Sequence, residues 1–166
     1  MSVKRLFLVD PYNDDHISMI HQFEQDNNVI EKTSAALGVL RASMTREAYQ
    51  QNKKDSNEIE EDLFIEKNYK IEDMCHIHGE KDRKIAKITM ASLNNKEKNR
   101  KLLSLATDYI FSSLEFEEVF LEVKNKDKSL LTFLESNGYE NLGEEDGITI
   151  FLKDREDEKL AQRMIA

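Results

Sequence analysis

Cys75, His76, His78 and Glu80 lie within one short stretch and carry the side chains most used to bind zinc or to move protons near neutral pH. In an extended segment His76 and His78 share one face and Cys75 points to the other. The stretch then offers two ligands where a zinc site needs three or four, so no metal is expected. Either histidine is instead a candidate general base on a sheet face, and Glu66, on a neighbouring segment, is another. The alternative for all three is a solvated polar surface. A second concentration of chemistry is cationic: Lys96, Lys98, Arg100 and Lys101 surround Glu97 in a chain of formal charge −9. Such a run suits an anion, and a solvated helix start is the alternative. Acidic runs at residues 58–62, 144–146 and 154–158 would favour a cationic amine if they rim a cleft, and are otherwise surface.

A chain of 166 residues suits one domain, and 39% hydrophobic residues supply a core despite 34% charged ones. The acidic balance opposes a nucleic-acid backbone or an anionic membrane surface, so neither is an expected partner. The single cysteine permits no internal disulfide and fits a reducing compartment. The apolar run Leu6 to Val9 is too short for a secretory signal and no window approaches a membrane span, which together predict a cytoplasmic protein.

The elements that must position these groups follow from hydrophobic period. Leu6 to Val9, stopped by Asp10-Pro11, reads as a first strand. Asp14 and Asp15 open a helix carrying Ile17, Ile20 and Phe23, and Thr33 or Ser34 caps a second one carrying Leu37, Leu40 and Met44. Residues 45–62 are polar and read as a frayed helix end and a mobile connector. Leu63 to Lys67, Met74 to His78 and Lys84 to Ser92 then read as an antiparallel meander, turning at Asn68-Tyr69-Lys70 and at Gly79-Glu80-Lys81-Asp82. Leu102, Leu103, Ala106, Tyr109, Ile110 and Leu114 stripe the strongest helix, and Val119, Leu121 and Val123 alternate as a strand. That β-α-β unit makes the strands at 84–92 and 119–123 parallel neighbours. Asp127 caps a further helix that ends at Asn137-Gly138, and a last hairpin joins Tyr139 to Leu142 with Ile148 to Leu152. The expectation is one domain over residues 1–154 and a charged tail, 155–166, whose Leu160, Met164 and Ile165 suit a short helix.

The stretch Val119-Phe120-Leu121-Glu122-Val123, followed by Asp127, Leu130, Phe133-Leu134 and Gly138-Tyr139, resembles the C-terminal half of the GCN5-related N-acetyltransferase (GNAT) family. There a strand is followed by Asn-x-x-Ala, Leu-Tyr and Gly-Phe at this spacing. The order of elements before it is also similar, over roughly residues 3 to 153. The resemblance implies a mixed α/β sheet of about seven strands with a central parallel pair and four helices. It implies acetyl-CoA as co-substrate and transfer of an acetyl group to a primary amine of a small molecule or protein. Its implied cofactor contacts are Ile88, Thr89 and Met90 on the splaying strand, within an 88–92 segment whose backbone N–H would face the developing oxyanion. They continue through Asn95, Lys96, Lys98, Asn99, Arg100 and Lys101 at the pyrophosphate turn, and Asp127. Glu66, His76 or His78 would take the amine proton. Leu134 stands where the family places a tyrosine acid, which leaves Tyr139, Tyr109 or a water to protonate the leaving thiolate. The family's Arg/Gln-x-x-Gly-x-Gly/Ala turn falls on residues 94–101, here without glycine, so charge would replace amide geometry in holding the anion. The two departures define an alternative, a catalytically inactive relative acting as a binding or regulatory module. Homodimerisation is a further expectation, since exposed strand edges invite it.

Overall fold

The computed structural model describes residues 5–29, 32–90, 93–94, 96–124 and 127–155. Its elements run β1 (Arg5–Leu8), α1 (Asp14–Asp26), α2 (Thr33–Ser43), α3 (Arg46–Asp55), β2 (Glu58–Lys67), β3 (Lys70–Glu80) and β4 (Ile85–Met90). They continue as α4 (Glu97–Ser112), β5 (Glu118–Val123), α5 (Lys128–Ser136), β6 (Glu140–Glu145) and β7 (Ile148–Asp154). The strands form one mixed sheet in the order β1-β2-β3-β4-β5-β7-β6, and β4 and β5 are its parallel pair. The expected fold class and parallel neighbours are therefore found. The tail read as a helix lies outside the described residues beyond Arg155, as do Ala91 and Ser92 at the end of the predicted strand. No helix among the described residues is long and apolar enough to cross a membrane.

Three readings are corrected. The connector at 45–62 contains a fifth helix, α3, and β2 begins at Glu58 rather than Leu63. Helix α3 has no buried residue and hence no apolar stripe to announce it. It forms through Thr45, whose side chain caps the Ala48 N–H at 3.2 Å, Glu47 in its first turn and Lys53 and Lys54 in its last. Lys81 Nζ docks its end by donating to the carbonyls of Lys53 and Lys54. The cap of α2 also differs: Lys32 occupies the N-cap position without a side-chain bond. Ser34 is buried, its hydroxyl and N–H both donating to the carboxylate of Glu24 on α1, which thus serves as a cap supplied from a neighbouring helix. Finally, Gly79 and Glu80 belong to β3, and the turn into β4 comes after them.

Two cores hold the layers. Helices α4 and α5 lay Leu102, Leu103, Ala106, Ile110, Leu130 and Leu134 against Leu63, Ile77, Ile88, Val119, Leu121 and Phe151 of the sheet. On the other face, near β1, Phe64, Ile71 and Met74 pack with Ile20 and Phe23 of α1. Gly138 (φ 86°) takes the left-handed position that ends α5, as its type predicts. Gly79 is needed for a different reason, because a Cβ there would overlap Phe116 Cε2 of the main core. Gly79→Val is expected to lower stability by ~1–3 kcal/mol in urea unfolding, since the packed ring must move.

Candidate functional site

A cleft of about 740 Å³ opens between α2 and α3 on one side and β2, β3 and β4 on the other. Strand alternation turns His76 and Asp62 toward it, and Thr89 of β4, the cross-strand partner of His76, lines it as well. Two histidine–carboxylate pairs lie in line on this face. His76 Nδ1 meets Asp62 Oδ1 at 3.0 Å, and His78 Nδ1 meets Glu60 Oε1 at 3.2 Å. The Asp62 hydrogen bond and charge hold the His76 imidazolium above the usual histidine range, against the opposing effect of partial burial. Because Nδ1 is engaged by Asp62, Nε2 is the nitrogen left to exchange a proton with a ligand. Cys75 is buried on the opposite face, as alternation predicts, and burial pushes its thiol well above the usual range.

At Thr89 the cleft meets a break in the sheet. Strands β4 and β5 pair only over Ile85–Lys87 and Glu118–Phe120, although β4 runs on to Met90 and β5 to Val123. Beyond Lys87 the two diverge, so the edge of Ile88, Thr89 and Met90 is turned toward a fork rather than toward a paired strand. Lys87 Nζ and Glu122 Oε2, 3.1 Å apart, bridge its base.

The N-terminus of α4 follows β4. Its N-cap, Lys96, contributes no side-chain bond, so the first-turn amides are left without an intrahelical or side-chain cap among the described residues. Lys96, Arg100 and Lys101 are exposed and Lys98 is half-buried around this terminus. Asn99 departs from the cofactor role suggested by the sequence, being only 1% exposed and donating from Nδ2 to Oδ2 of buried Asp73 on β3. Desolvation holds the Asp73 carboxyl above its usual range. Turning inward, Asn99 leaves the outer side of the glycine-free turn to backbone and cations. Asn95 lies outside the described residues. Arg100, stacked 5.0 Å over Phe133, lines with Lys128 a hollow of about 480 Å³ between α4 and α5. Asp127 accepts from the Ser129 N–H at 2.9 Å and is the N-cap of α5.

The remaining candidates are dispersed. Glu66 sits at the far end of β2, accepting from the Tyr69 N–H, and lines a separate concavity with Phe7 and His16. Leu134 is fully buried. Tyr139 is 3% exposed, and its hydroxyl is hydrogen-bonded with Thr107 of α4, away from the cleft. Tyr109 donates to Glu61, which lines the cleft and pairs with Lys53 at 3.2 Å, and desolvation pushes its phenol above the usual range. Of the four proposed catalytic groups, the structure thus brings His76 to the cleft with His78 beside it, and leaves Glu66 and Tyr139 elsewhere. The sequence reading missed Asp62 and Glu60 as partners. Their i, i+2 spacing, matching that of the histidines, was the available signal.

No protein-family model matches the sequence, and no curated protein matches it. Solved structures do. The spermidine N-acetyltransferase of Vibrio cholerae, solved as a dodecamer, superposes with a TM-score of 0.65 at 15% identity, covering 93% of this chain and 95% of that one. FdhC, a nucleotide-linked sugar GNAT, gives 0.63 at 13% identity over 98% and 92%. A probable acetyltransferase gives 0.58 at 15% identity over 93% and 94%. With the forked parallel pair and the element order described above, these likenesses establish that the chain has the GCN5-related N-acetyltransferase fold.

Proposed function

We propose that the protein transfers the acetyl group of acetyl-CoA to a cationic primary amine. The observation that carries this reading is the adjacency of His76 and Thr89, which sets a proton acceptor beside the β4–β5 fork in a cleft whose β2 wall bears Glu58, Glu60, Glu61 and Asp62. Carboxylates attract an ammonium ion, and His76, oriented by Asp62, takes its proton through Nε2 to release the nucleophilic lone pair. His78 and Glu60 form a second pair at the next same-face position, through which that proton can leave. Backbone N–H groups alternate in direction along Ile88 to Met90, and those turned away from β3 offer donors to an acyl oxygen in the fork. The first-turn amides of α4 with Lys96, Lys98, Arg100 and Lys101 suit a pyrophosphate, because helix N-termini and cations both favour anions. Acetyl-CoA, held by these groups, supplies the activated acyl carbon. The likeness to a spermidine acetyltransferase fits an amine acceptor. Titration calorimetry with acetyl-CoA tests the reading, saturable binding at micromolar strength being the expected result. No heat and no thermal shift at millimolar ligand would remove the cofactor and leave the binding-module alternative.

A further inference from the structure

The two walls of the cleft are unlike. Among the described residues its carboxylates all come from β2, whereas the opposite wall presents Leu37 and Leu40 of α2 and Met44 at that helix's C-cap. Leu37 and Leu40 stand at i and i+3 on one helical face, and Met44 follows in extended backbone just past the helix end. Such residues ordinarily enter a core, yet each of the three is only half-buried, Leu37 packs at the edge of the α1 core while also lining the cleft, and Ser34 is the one buried residue of α2. Val9 and Pro11 extend the same apolar lining. Among the described residues, the charged side chains that the α2 and α3 side contributes are Lys32 and Lys53, both cations.

A polyamine laid across this cleft would bring its second ammonium to hydrocarbon and lysine, where Glu61 is already held by Lys53 and Tyr109 and no other carboxylate among the described lining residues stands on that side to compensate the lost hydration. We infer that the acceptor is an amphipathic monoamine, whose one ammonium lies at Glu60, Asp62 and His76 and whose alkyl or arylalkyl body lies on Leu37, Leu40 and Met44. The inference rests on the acetyl-transfer reading and adds the substrate class. The amine nitrogen gives its proton to His76 and forms the N–C bond as the C–S bond of the thioester breaks. The second proton, which the nitrogen sheds as the amide forms, passes to the departing sulfur, so amide and free thiol are the products and His76 carries the first proton.

The test is thiol release from acetyl-CoA by the full chain, with n-alkylamines from propyl to octyl, phenethylamine, putrescine and spermidine. The expected kcat/KM rises about three- to fourfold per added methylene until the apolar wall is covered. Spermidine is expected roughly tenfold or more below hexylamine, since its extra charges meet no partner. Leu40→Asp is expected to flatten the chain-length dependence, while the alkylamine series on the unaltered protein carries the test whatever that variant's stability. A flat or falling series, or spermidine ahead of hexylamine, overturns the inference and leaves acetyl transfer standing. Binding of acetyl-CoA without thiol release from any of these amines overturns the inference too. Absence of both binding and release overturns the underlying reading.

Discussion

His76→Ala is expected to lower kcat for amine acetylation by ~10²- to 10⁴-fold, the range for removal of a positioned general base. The side chain stands on a strand face at the cleft and is not part of either core, so the fold should survive. Calorimetric affinity for acetyl-CoA should change little, which separates proton transfer from cofactor binding. Asp62→Asn gives the more informative profile. Asp62 raises the pKa of His76 chiefly through their hydrogen bond. A base acts when neutral, so activity should rise with pH through that raised value, and loss of the Asp62 charge should move the rise to lower pH. The sign for stability is opposite in sense: a raised histidine pKa contributes fully below the unfolded value of about 6.5, and the contribution is lost as pH rises through the folded value. A kcat for His76→Ala within about threefold of the parent, well short of the general-base range, would take His76 out of the mechanism.

Replacing Lys96, Lys98, Arg100 and Lys101 together by glutamine should weaken acetyl-CoA binding by about tenfold or more, as several cations share the anion. Exposed charges are screened over roughly 8 Å at physiological salt. The parent affinity should therefore fall with added salt, and the fourfold variant should lose much of that dependence. Asn99 is excluded from the set because its amide is committed to Asp73. Affinity that is unchanged by calorimetry would mean that backbone geometry alone holds the cofactor, and the charge argument for the glycine-free turn would fall.

The His76→Ala and fourfold glutamine variants rest on groups that were visible in the sequence for different reasons, whereas Asp62 was not singled out there as a partner. The basic run 96–101 was legible as composition, and its place at a helix start followed from the long stripe of α4 behind it. The histidines were legible through residue type and alternation. Helix α2 was legible as an amphipathic stripe, but the ordinary reading of such a stripe is core, and only packing showed that Leu37 and Leu40, with Met44 just past the helix end, line a cleft. Helix α3 was invisible because capping and charge placement, not apolar period, define it. Asp127 followed the local rule for N-caps and needed no tertiary information.

The partnering of His76 shows where local rules stop. A two-residue turn at Asn68-Tyr69 pairs Lys67 with Lys70 and Glu66 with Ile71, and that register, continued, would set His76 opposite Glu61. Glu72 instead stands as an extra residue on β3, so that Ile65 faces Asp73 and His76 faces Asp62. The bulge satisfies two packing demands at once: Ile71 joins Phe64 and Met74 against α1, while Cys75 and Ile77 remain in the core beneath α4. Sequence alone determined the element types other than α3, the parallel β4–β5 pair and the ends of α1 and α5, since hydrophobic period, capping and the right-handed crossover act over a few residues or one connection. The tertiary structure decided which carboxylate meets the histidine, which face of α2 lines the cleft and where the sheet forks. Those depend on register and on layers meeting across the chain, where a shift of one residue exchanges the two faces of a strand.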